Sequence, residues 1–373
     1  MAEINKKRII QLSLGLGYSG SAKFAILSSV GFRKQGHEII FIASEGSLTE
    51  RRAREAGLTV EILPGTKDYA LNLQVLRRVF EAFRPEFAIA HDSKERKYLM
   101  RFRRQEGRRF YCIAFRSIVP SSFPLISSIP YNLWLDLSVA CSKGVARSLM
   151  YRGILPSKIR VVYNGIEAQE EAPTPIPRET LGIPQHSKII GMSTMFHKTR
   201  KGFDILFSAV SKGLPFPFRL LMLGITPRDR PYVERIARSY DVSEDVLVFP
   251  GYVDDVWPYY AAMDVFALPS RKEGFSLSLL EAMASGLPVI ASDIAGNNEA
   301  ITHNTNGLLF PLRDTDELRR GILRLIEQPG FALQLGKAAR RTVLENFTYD
   351  KVAIRFDQVL DELRSSRTLD PWE

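Results

Sequence analysis

The chain alternates short apolar runs with longer amphipathic ones, and it does so twice. In the first half KRIIQLSL, HEIIFIAS, LTVEIL, FAIAH, RRFYCIAF, LSVACS and IRVVYNG read as strands. Between them lie helical stretches: SGSAKFAILSSVGFRKQG, ending at Gly36, then LNLQVLRRVFEAF, then a run from Lys143 to about Arg152. Strands that are apolar at nearly every position are buried on both faces, which implies a parallel sheet covered by helices. Residues 168–178, AQEEAPTPIPR, hold Pro173, Pro175 and Pro177 without periodicity and read as a linker. Beyond it KIIGMSTM, FRLLMLG, VLVFPG, VFALPS and GLLF alternate with helices again. The expectation is an α/β protein of two doubly wound, Rossmann-like domains, 1–167 and 179–350. A final helix over 351–373 is expected to pack back on the first domain. At 373 residues the chain exceeds one comfortable core. Ligands of such sheets sit beyond the carboxyl ends of the strands, so the expected site is the cleft between the domains.

Charge is unevenly spread. The first 160 residues carry 27 Lys and Arg against 13 Asp and Glu; the remainder carries 24 against 28. A basic half implies an anionic partner: a nucleic acid, an anionic membrane surface or a phosphorylated substrate. No nucleic-acid module is recognisable, so no nucleic acid is expected. Cys112 and Cys141 cannot build a disulfide framework and lack metal-ligand spacing, which points to a reducing, cytoplasmic compartment. MAEINKKRIIQLSLGLG reads as a first strand leading into a glycine turn rather than as a signal peptide. The longest charge-free run, Ser117 to Leu135, is broken by Pro120, Pro124 and Pro130 and does not read as a spanning helix.

Three motifs carry chemistry. The turn GLGYSG places Gly15, Gly17 and Gly20 in G-x-G-x-x-G spacing after the first strand, with Glu45 ending the second. This is a dinucleotide fingerprint and keeps an NAD-dependent oxidoreductase as an alternative. In HKTRKGFDIL, Arg200 and Lys201 precede Gly202 and a helix. Two cations at a helix N-terminus oppose the macrodipole unless an anion such as a diphosphate sits there. In EGFSLSLLEAMASGLPVIASD, Glu273 and Glu281 stand eight residues apart, and Glu281 lies in an apolar helix where a carboxylate needs a partner. Two readings of Glu281 stay open. Ser278-x-x-Glu281 fits a capping box if the helix starts at Ser278. If it starts near Ser276, Glu281 is placed to accept from the paired hydroxyls of a ribose. Asp314-Thr315-Asp316 reads as a helix cap rather than a metal site, and no metal is expected.

The pattern Glu273-Gly274-Phe275, Glu281-Ala282-Met283-Ala284 and Gly286-x-Pro288-Val289-Ile290-Ala291 resembles the E-x7-E signature of retaining family-4 glycosyltransferases of GT-B fold. GHEIIFIA, FAIAHD, ACSKGVA, VVYNGIE, RKGFDIL, AGNNEAI and NGLLF resemble further family segments in the right order. The resemblance implies a retaining, metal-independent transfer of a sugar from a nucleotide-diphosphate donor, most simply a UDP-sugar, to a glycan or glycolipid acceptor of the bacterial envelope or lipopolysaccharide type. No cofactor is implied beyond that co-substrate. It implies that Arg200 and Lys201 hold the diphosphate and that Glu281 holds the ribose. Glu273, with the backbone of Gly274 and Phe275, would hold the transferred sugar, flanked by Ser276 and Leu277, and His91 would contact that sugar. Gly17 and Gly20 would let the first loop approach donor phosphate and acceptor. The chain departs from the family at Ser276, where glycine is common, at Gly20-Ser21-Ala22-Lys23, where Gly-Gly then Glu is usual, and at MSTMFHKT before Arg200.

The stretch 94–109 is strongly basic, with Tyr98, Leu99 and Phe102 interleaved. As a helix it suits an anionic membrane surface, with Phe123, Tyr131 and Trp134 as exposed anchors. A peripheral enzyme at the inner face of the plasma membrane is the expectation.

Overall fold

A computed structural model describes residues 6–64, 69–107, 109–118, 128–169, 171, 173–193, 199–366 and 369. The chain divides into two compact units, one of residues up to Glu167 together with those from Thr348 onward, the other Ala168–Phe347.

The first unit is a seven-stranded parallel sheet. Its strands are β1 (Arg8–Ser13), β2 (Glu38–Ser44), β3 (Thr59–Leu63), β4 (Phe87–Ala90), β5 (Tyr111–Arg116), β6 (Leu137–Ala140) and β7 (Ile159–Val161), in the order β3-β2-β1-β4-β5-β6-β7. β1 is the pivot: Ile9 pairs in register with Ile39 of β2 on one side and Phe87 of β4 on the other. Its helices are α1 (Gly20–Lys34), α2 (Leu48–Glu55), α3 (Tyr69–Phe83), α4 (Ser93–Glu106), α5 (Ile129–Trp134) and α6 (Lys143–Tyr151). α1 starts because the Ser19 hydroxyl accepts from the Ala22 amide, and it stops before Gly36, whose φ of 88° suits a residue without Cβ. α2 has no apolar periodicity and buries only Thr49 and Ala53. Its N-terminus is made by Ser47 capping the Glu50 amide, while the Glu50 carboxylate takes the Gly46 amide.

The second unit is a six-stranded parallel sheet of β8 (Lys188–Ser193), β9 (Phe218–Leu223), β10 (Leu247–Gly251), β11 (Val265–Leu268), β12 (Val289–Ser292) and β13 (Leu308–Phe310), in the order β10-β9-β8-β11-β12-β13. Helices α7 (Phe203–Val210), α8 (Arg230–Ser239), α9 (Trp257–Ala262), α10 (Leu277–Ala284), α11 (Asn297–Ala300), α12 (Thr315–Glu327) and α13 (Pro329–Asn346) cover it. Phe203, Leu206, Phe207 and Val210 of α7 join Leu318, Ile322 and Leu325 of α12 and the β9 side chains Leu220 and Met222 in one core. Asp314 caps α12 by accepting from the Glu317 amide at 2.8 Å. The proline-bearing stretch before β8 is bonded to this unit: the Ile176 amide donates to the Pro258 carbonyl.

The last helix, α14 (Tyr349–Ser366), belongs to the first unit and packs on α1. Phe32 meets Phe356 at 5.3 Å between ring centroids, and the fully buried Lys7 reaches Asp357 at 2.6 Å. The helices approach so closely at Gly31 that a Cβ there would lie 2.4 Å from the Ala353 Cβ. Glycine to alanine normally strengthens a helix interior by about 1 kcal/mol. Gly31→Ala should instead lower the urea midpoint, by about 1–3 kcal/mol of overpacking; an unchanged or raised midpoint would show that α1 and α14 are not in contact there.

Candidate active site

In the second unit the chain leaves β8 toward β9 on one side, while β11 lies against β8 on the other. Loops leaving two adjacent strands in opposite directions open a crevice at their carboxyl ends. Those two loops, after β8 and after β11, carry Arg200, Lys201 and Glu273–Leu277. The first is described from Thr199 onward, so most of the divergent stretch before Arg200 lies outside the described residues.

The loops are stitched together by backbone. Gly202 has φ 71°, and a Cβ on it would sit 2.0 Å from the Pro269 carbonyl oxygen, so only glycine fits. The Arg271 amide donates to the Arg200 carbonyl at 2.8 Å. The Arg271 guanidinium forks onto Asp204 in the first turn of α7 and holds that carboxyl below its usual range. The result is a contact between Lys201 Nζ and Glu273 Oε1 at 2.8 Å, each side chain about 10% exposed. Lys201 and Glu273, expected to serve diphosphate and sugar separately, therefore meet each other. Arg200 differs: its Nε is buried and has no hydrogen-bond partner.

α10 resolves the two readings of Glu281. The Ser276 hydroxyl accepts from the Leu279 amide at 3.3 Å, so the helix starts at Leu277 and Ser278 lies inside it. The capping box is excluded, and Ser276 serves as the cap. Glu281 is buried in the middle of the helix, where its Oε2 accepts from the Tyr260 hydroxyl at 3.1 Å. Tyr260 is itself fully buried, and its phenol pKa is pushed well above the ordinary value, first by burial and then by the Glu281 charge. It also bonds Ser193, at the end of β8. One of the two oxygens expected to receive a ribose thus has a resident donor, Tyr260, that no motif identified; α9 and α10 bring it there by packing across 21 residues.

Phe275 turns inward, 2% exposed and edge-on to Phe347, so its backbone alone remains at the loop. Gly274 is held close to the turn before α11: a Cβ on Gly296 would lie 2.3 Å from the Gly274 oxygen. Leu277, the first helical residue, is partly exposed. Behind these, Asn297 donates to the Ser292 carbonyl and the Ser292 hydroxyl to the Ser270 carbonyl, fixing the loop after β12 to that after β11.

The first unit repeats the topology. β1 and β4 are adjacent and diverge, and the glycine loop and His91 leave their carboxyl ends. None of Gly15, Gly17 and Gly20 has positive φ, and a Cβ on Gly17 would meet nothing within 4 Å. His91, expected to contact the donor sugar, is enclosed. It is 1% exposed, between Phe24 and Phe115, with Nε2 on the Gln11 side-chain oxygen and Nδ1 without a partner. Burial pushes its pKa down to about 3, so it is neutral. Two carboxyls stand nearby. Asp92 accepts from the Ser21 hydroxyl at 2.8 Å, and Glu95 Oε1 accepts from the Leu14 amide at 2.5 Å, anchoring the start of the glycine loop.

The basic helix differs from expectation. α4 turns Tyr98, Leu99 and Phe102 inward, and Arg103 pairs with Asp136 at 3.1 Å. The stripe expected to meet a membrane is core. Tyr131 is buried and Trp134 half-buried, and Phe123 lies outside the described residues. Lys94, Lys97, Arg101 and Arg104 remain exposed. Among the described residues no helix is long and apolar enough to cross a membrane, and no three His, Cys, Asp or Glu side chains gather as metal ligands.

Comparison with known proteins covers both units. Residues 18–170 match the family described as "Glycosyltransferase Family 4", and residues 187–328 the family "Glycosyl transferases group 1". The N-acetyl-alpha-D-glucosaminyl L-malate synthase of Bacillus anthracis is 28% identical over 219 residues, 57% of each chain. The lipopolysaccharide core biosynthesis glycosyltransferase LpsE of Rhizobium meliloti is 28% identical over 185 residues, 50% of this chain and 53% of the relative. The chain thus spans about half the length of the curated relatives it matches. The crystal structure of Anabaena Alr3699/HepE, a complex with UDP and glucose, superposes with a TM-score of 0.83 at 18% identity, covering 95% of this chain and 99% of that one. Neither family is one of oxidoreductases, and the NAD alternative has no support.

Glu95 generates a pH prediction. Burial raises its pKa from 4.5 to about 7. Folding therefore takes up a proton between those values, and stability falls as the pH rises through that window. Glu95→Gln keeps the acceptor for Leu14 and should remove on the order of 1–3 kcal/mol of the stability difference between about pH 5 and pH 8 in urea titrations. An identical pH dependence in the variant would show that Glu95 is ionised in the fold.

Proposed function

Because this chain belongs to the group 1, family 4 glycosyltransferases, we propose that it transfers a sugar from a nucleoside-diphosphate sugar to a hydroxyl of a glycan or glycolipid acceptor. Its fold is GT-B, two Rossmann-like α/β units. The observation that carries the reading is the cluster at the β8/β11 crevice: the Lys201–Glu273 pair, the unpartnered Arg200 and the buried Glu281. UDP is the proposed nucleotide, in line with the HepE complex, and an envelope or lipopolysaccharide glycan the proposed acceptor, in line with LpsE.

In this reading Arg200 and Lys201 take the diphosphate oxygens and stabilise the charge that builds as the leaving group departs, so that no metal is called for. Lys201, bonded to Glu273, is held in place for this task. Glu273 and the backbone of Gly274 and Phe275 accept and donate to the sugar hydroxyls, and the Glu281 carboxylate accepts from the ribose. The acceptor oxygen bonds to the anomeric carbon as the bond to the diphosphate breaks. Its proton passes to the departing phosphate oxygen on the same face, and configuration is retained. His91, enclosed and neutral, is a positioning group rather than a catalytic one.

A thermal-shift panel of UDP, GDP, ADP, CMP, their sugar conjugates and NAD(H) tests the reading. A ligand at about 100 times its dissociation constant stabilises by about 2.7 kcal/mol. One nucleoside diphosphate should shift the chain, and a shift with NAD(H) alone would overturn the proposal. Arg200 has no partner to abandon, so Arg200→Gln should lower turnover about 100-fold at unchanged melting temperature. Glu281→Gln should weaken nucleotide binding about tenfold or more. Retention and metal independence are read from the anomeric configuration of the product and from activity in EDTA.

We also propose peripheral attachment of the enzyme to an anionic membrane on the cytoplasmic side. The anchors in this reading are not those expected. Ile129 and Leu133 of α5 are exposed, and Asn132 ties that helix to the turn carrying Tyr151 and Leu155, also exposed. The cations of the outer face of α4 supply the electrostatic attraction. Sedimentation with anionic vesicles should fall with salt and with Leu133→Asp; binding insensitive to both would remove this element.

A further inference from the structure

Three arginines of the first unit, none in an ion pair, are linked near Tyr131: Arg96 lies over its ring, Arg116 interacts with it, and Arg152 is close enough to Arg116 to repel it. Arg96, in the first turn of α4, lies 4.7 Å over the Tyr131 ring. Arg116 ends β5, and Arg152 follows α6, whose terminal turn is tied to α5 by the Asn132 amide donating to the Gly153 carbonyl at 2.8 Å. None of the three forms an ion pair. Arg96 is 5% exposed, and only one of its nitrogens is engaged, with the Ser93 hydroxyl at 3.2 Å; Nε and Nη1 are buried and unpartnered. Nε of Arg116 and Nε of Arg152 are also buried and unpartnered.

Two other arginines of this unit that are withdrawn from water do have anions. Arg103 is equally buried and has Asp136, and Arg364 forks onto Glu86. Withdrawing a guanidinium from water without an anion is costly, and gathering three compounds the cost by repulsion. Burial, with the Arg152 charge adding to it, lowers the Arg116 pKa. The Asp92 carboxyl interacts with Arg116 but is already engaged by Ser21. Three cations against one carboxylate leave two positive charges, which a phosphate monoester of about −1.5 to −2 balances and a single carboxylate does not.

We propose that Arg96, Arg116 and Arg152 form a binding site for a phosphoryl group carried by the acceptor. The word acceptor rests on the glycosyl-transfer reading; the phosphoryl site itself does not. The site would select acceptors already phosphorylated, so a phosphoryl-transferring reaction must precede this one. Tyr131 supplies the floor, holding Arg96 by its ring face.

Calorimetric titrations of inorganic phosphate and glucose 6-phosphate into the full chain test this, with wild type, Arg116→Gln, Arg152→Gln and Arg200→Gln. Arg200→Gln should lose at most a separate, crevice component of phosphate binding and keep the remaining site at wild-type affinity, whereas that site should bind both ligands at least about tenfold more weakly in Arg116→Gln and Arg152→Gln. Each substitution removes an unpaired charge, so both variants should fold, and either alone suffices. No binding to wild type, or equal binding to all four, overturns the proposal. Loss of phosphate binding in Arg200→Gln alone also overturns it, because the anion then belongs to the β8/β11 crevice. Vesicles containing phosphatidylglycerol form the second arm: vesicle binding that needs Arg116 with no soluble phosphate binding assigns the site to a lipid headgroup and overturns the acceptor assignment. Failure of the transferase reading looks different, with no response to any nucleotide while the phosphate response to Arg116→Gln persists.

Discussion

The contact between Lys201 and Glu273 is the constraint on which the arrangement of the second unit's crevice depends. It joins loops leaving two neighbouring strands, and both side chains are nearly out of water. Removing one partner of such a pair costs about 3–5 kcal/mol, because the other charge is left desolvated. The pair survives because the backbone beneath it is also locked. Gly202 admits the Pro269 carbonyl where any Cβ would collide, and Arg271 bridges to Asp204. Arg200, one residue earlier and without a partner, keeps its binding capacity for an incoming anion.

Burial of ionisable groups recurs at the strand ends of both units, and the solutions differ. Glu281 has a neutral donor in Tyr260, which keeps a carboxylate in an apolar helix without cancelling its charge. Glu95 keeps its proton to about pH 7 while its other oxygen fixes the Leu14 amide. His91 surrenders its proton. The arginines around Tyr131 do none of these things. A cation that cannot lose its proton at any ordinary pH and forms no ion pair is the group whose surroundings are incomplete.

Several expectations failed for one reason: a pattern of residue types does not say which neighbour a side chain faces. The cations and aromatics of α4 read equally well as a membrane surface or as a helix laid on a sheet. Tyr98, Leu99 and Phe102 take the second role because parallel sheets must be covered on both faces. The Ser278-x-x-Glu281 spacing fits a capping box, yet Ser276 captures the Leu279 amide first. α2 escaped notice because it buries only Thr49 and Ala53, too little to make a period.

Sequence alone determined the strands, most of the helices and the two-unit plan, since continuous apolar runs and proline punctuation are local properties. It also identified the glutamates and cations of the crevice as residues needing partners, because the cost of burying charge is independent of the fold. Only the tertiary structure decided who those partners are. That β11 lies beside β8, after the chain has first passed through β9 and β10, is a matter of sheet order. Order is set by packing across the whole unit, and no window of sequence contains it. Lys201 meeting Glu273, Tyr260 meeting Glu281 and three arginines linked near Tyr131 all follow from that order and its counterpart in the first unit.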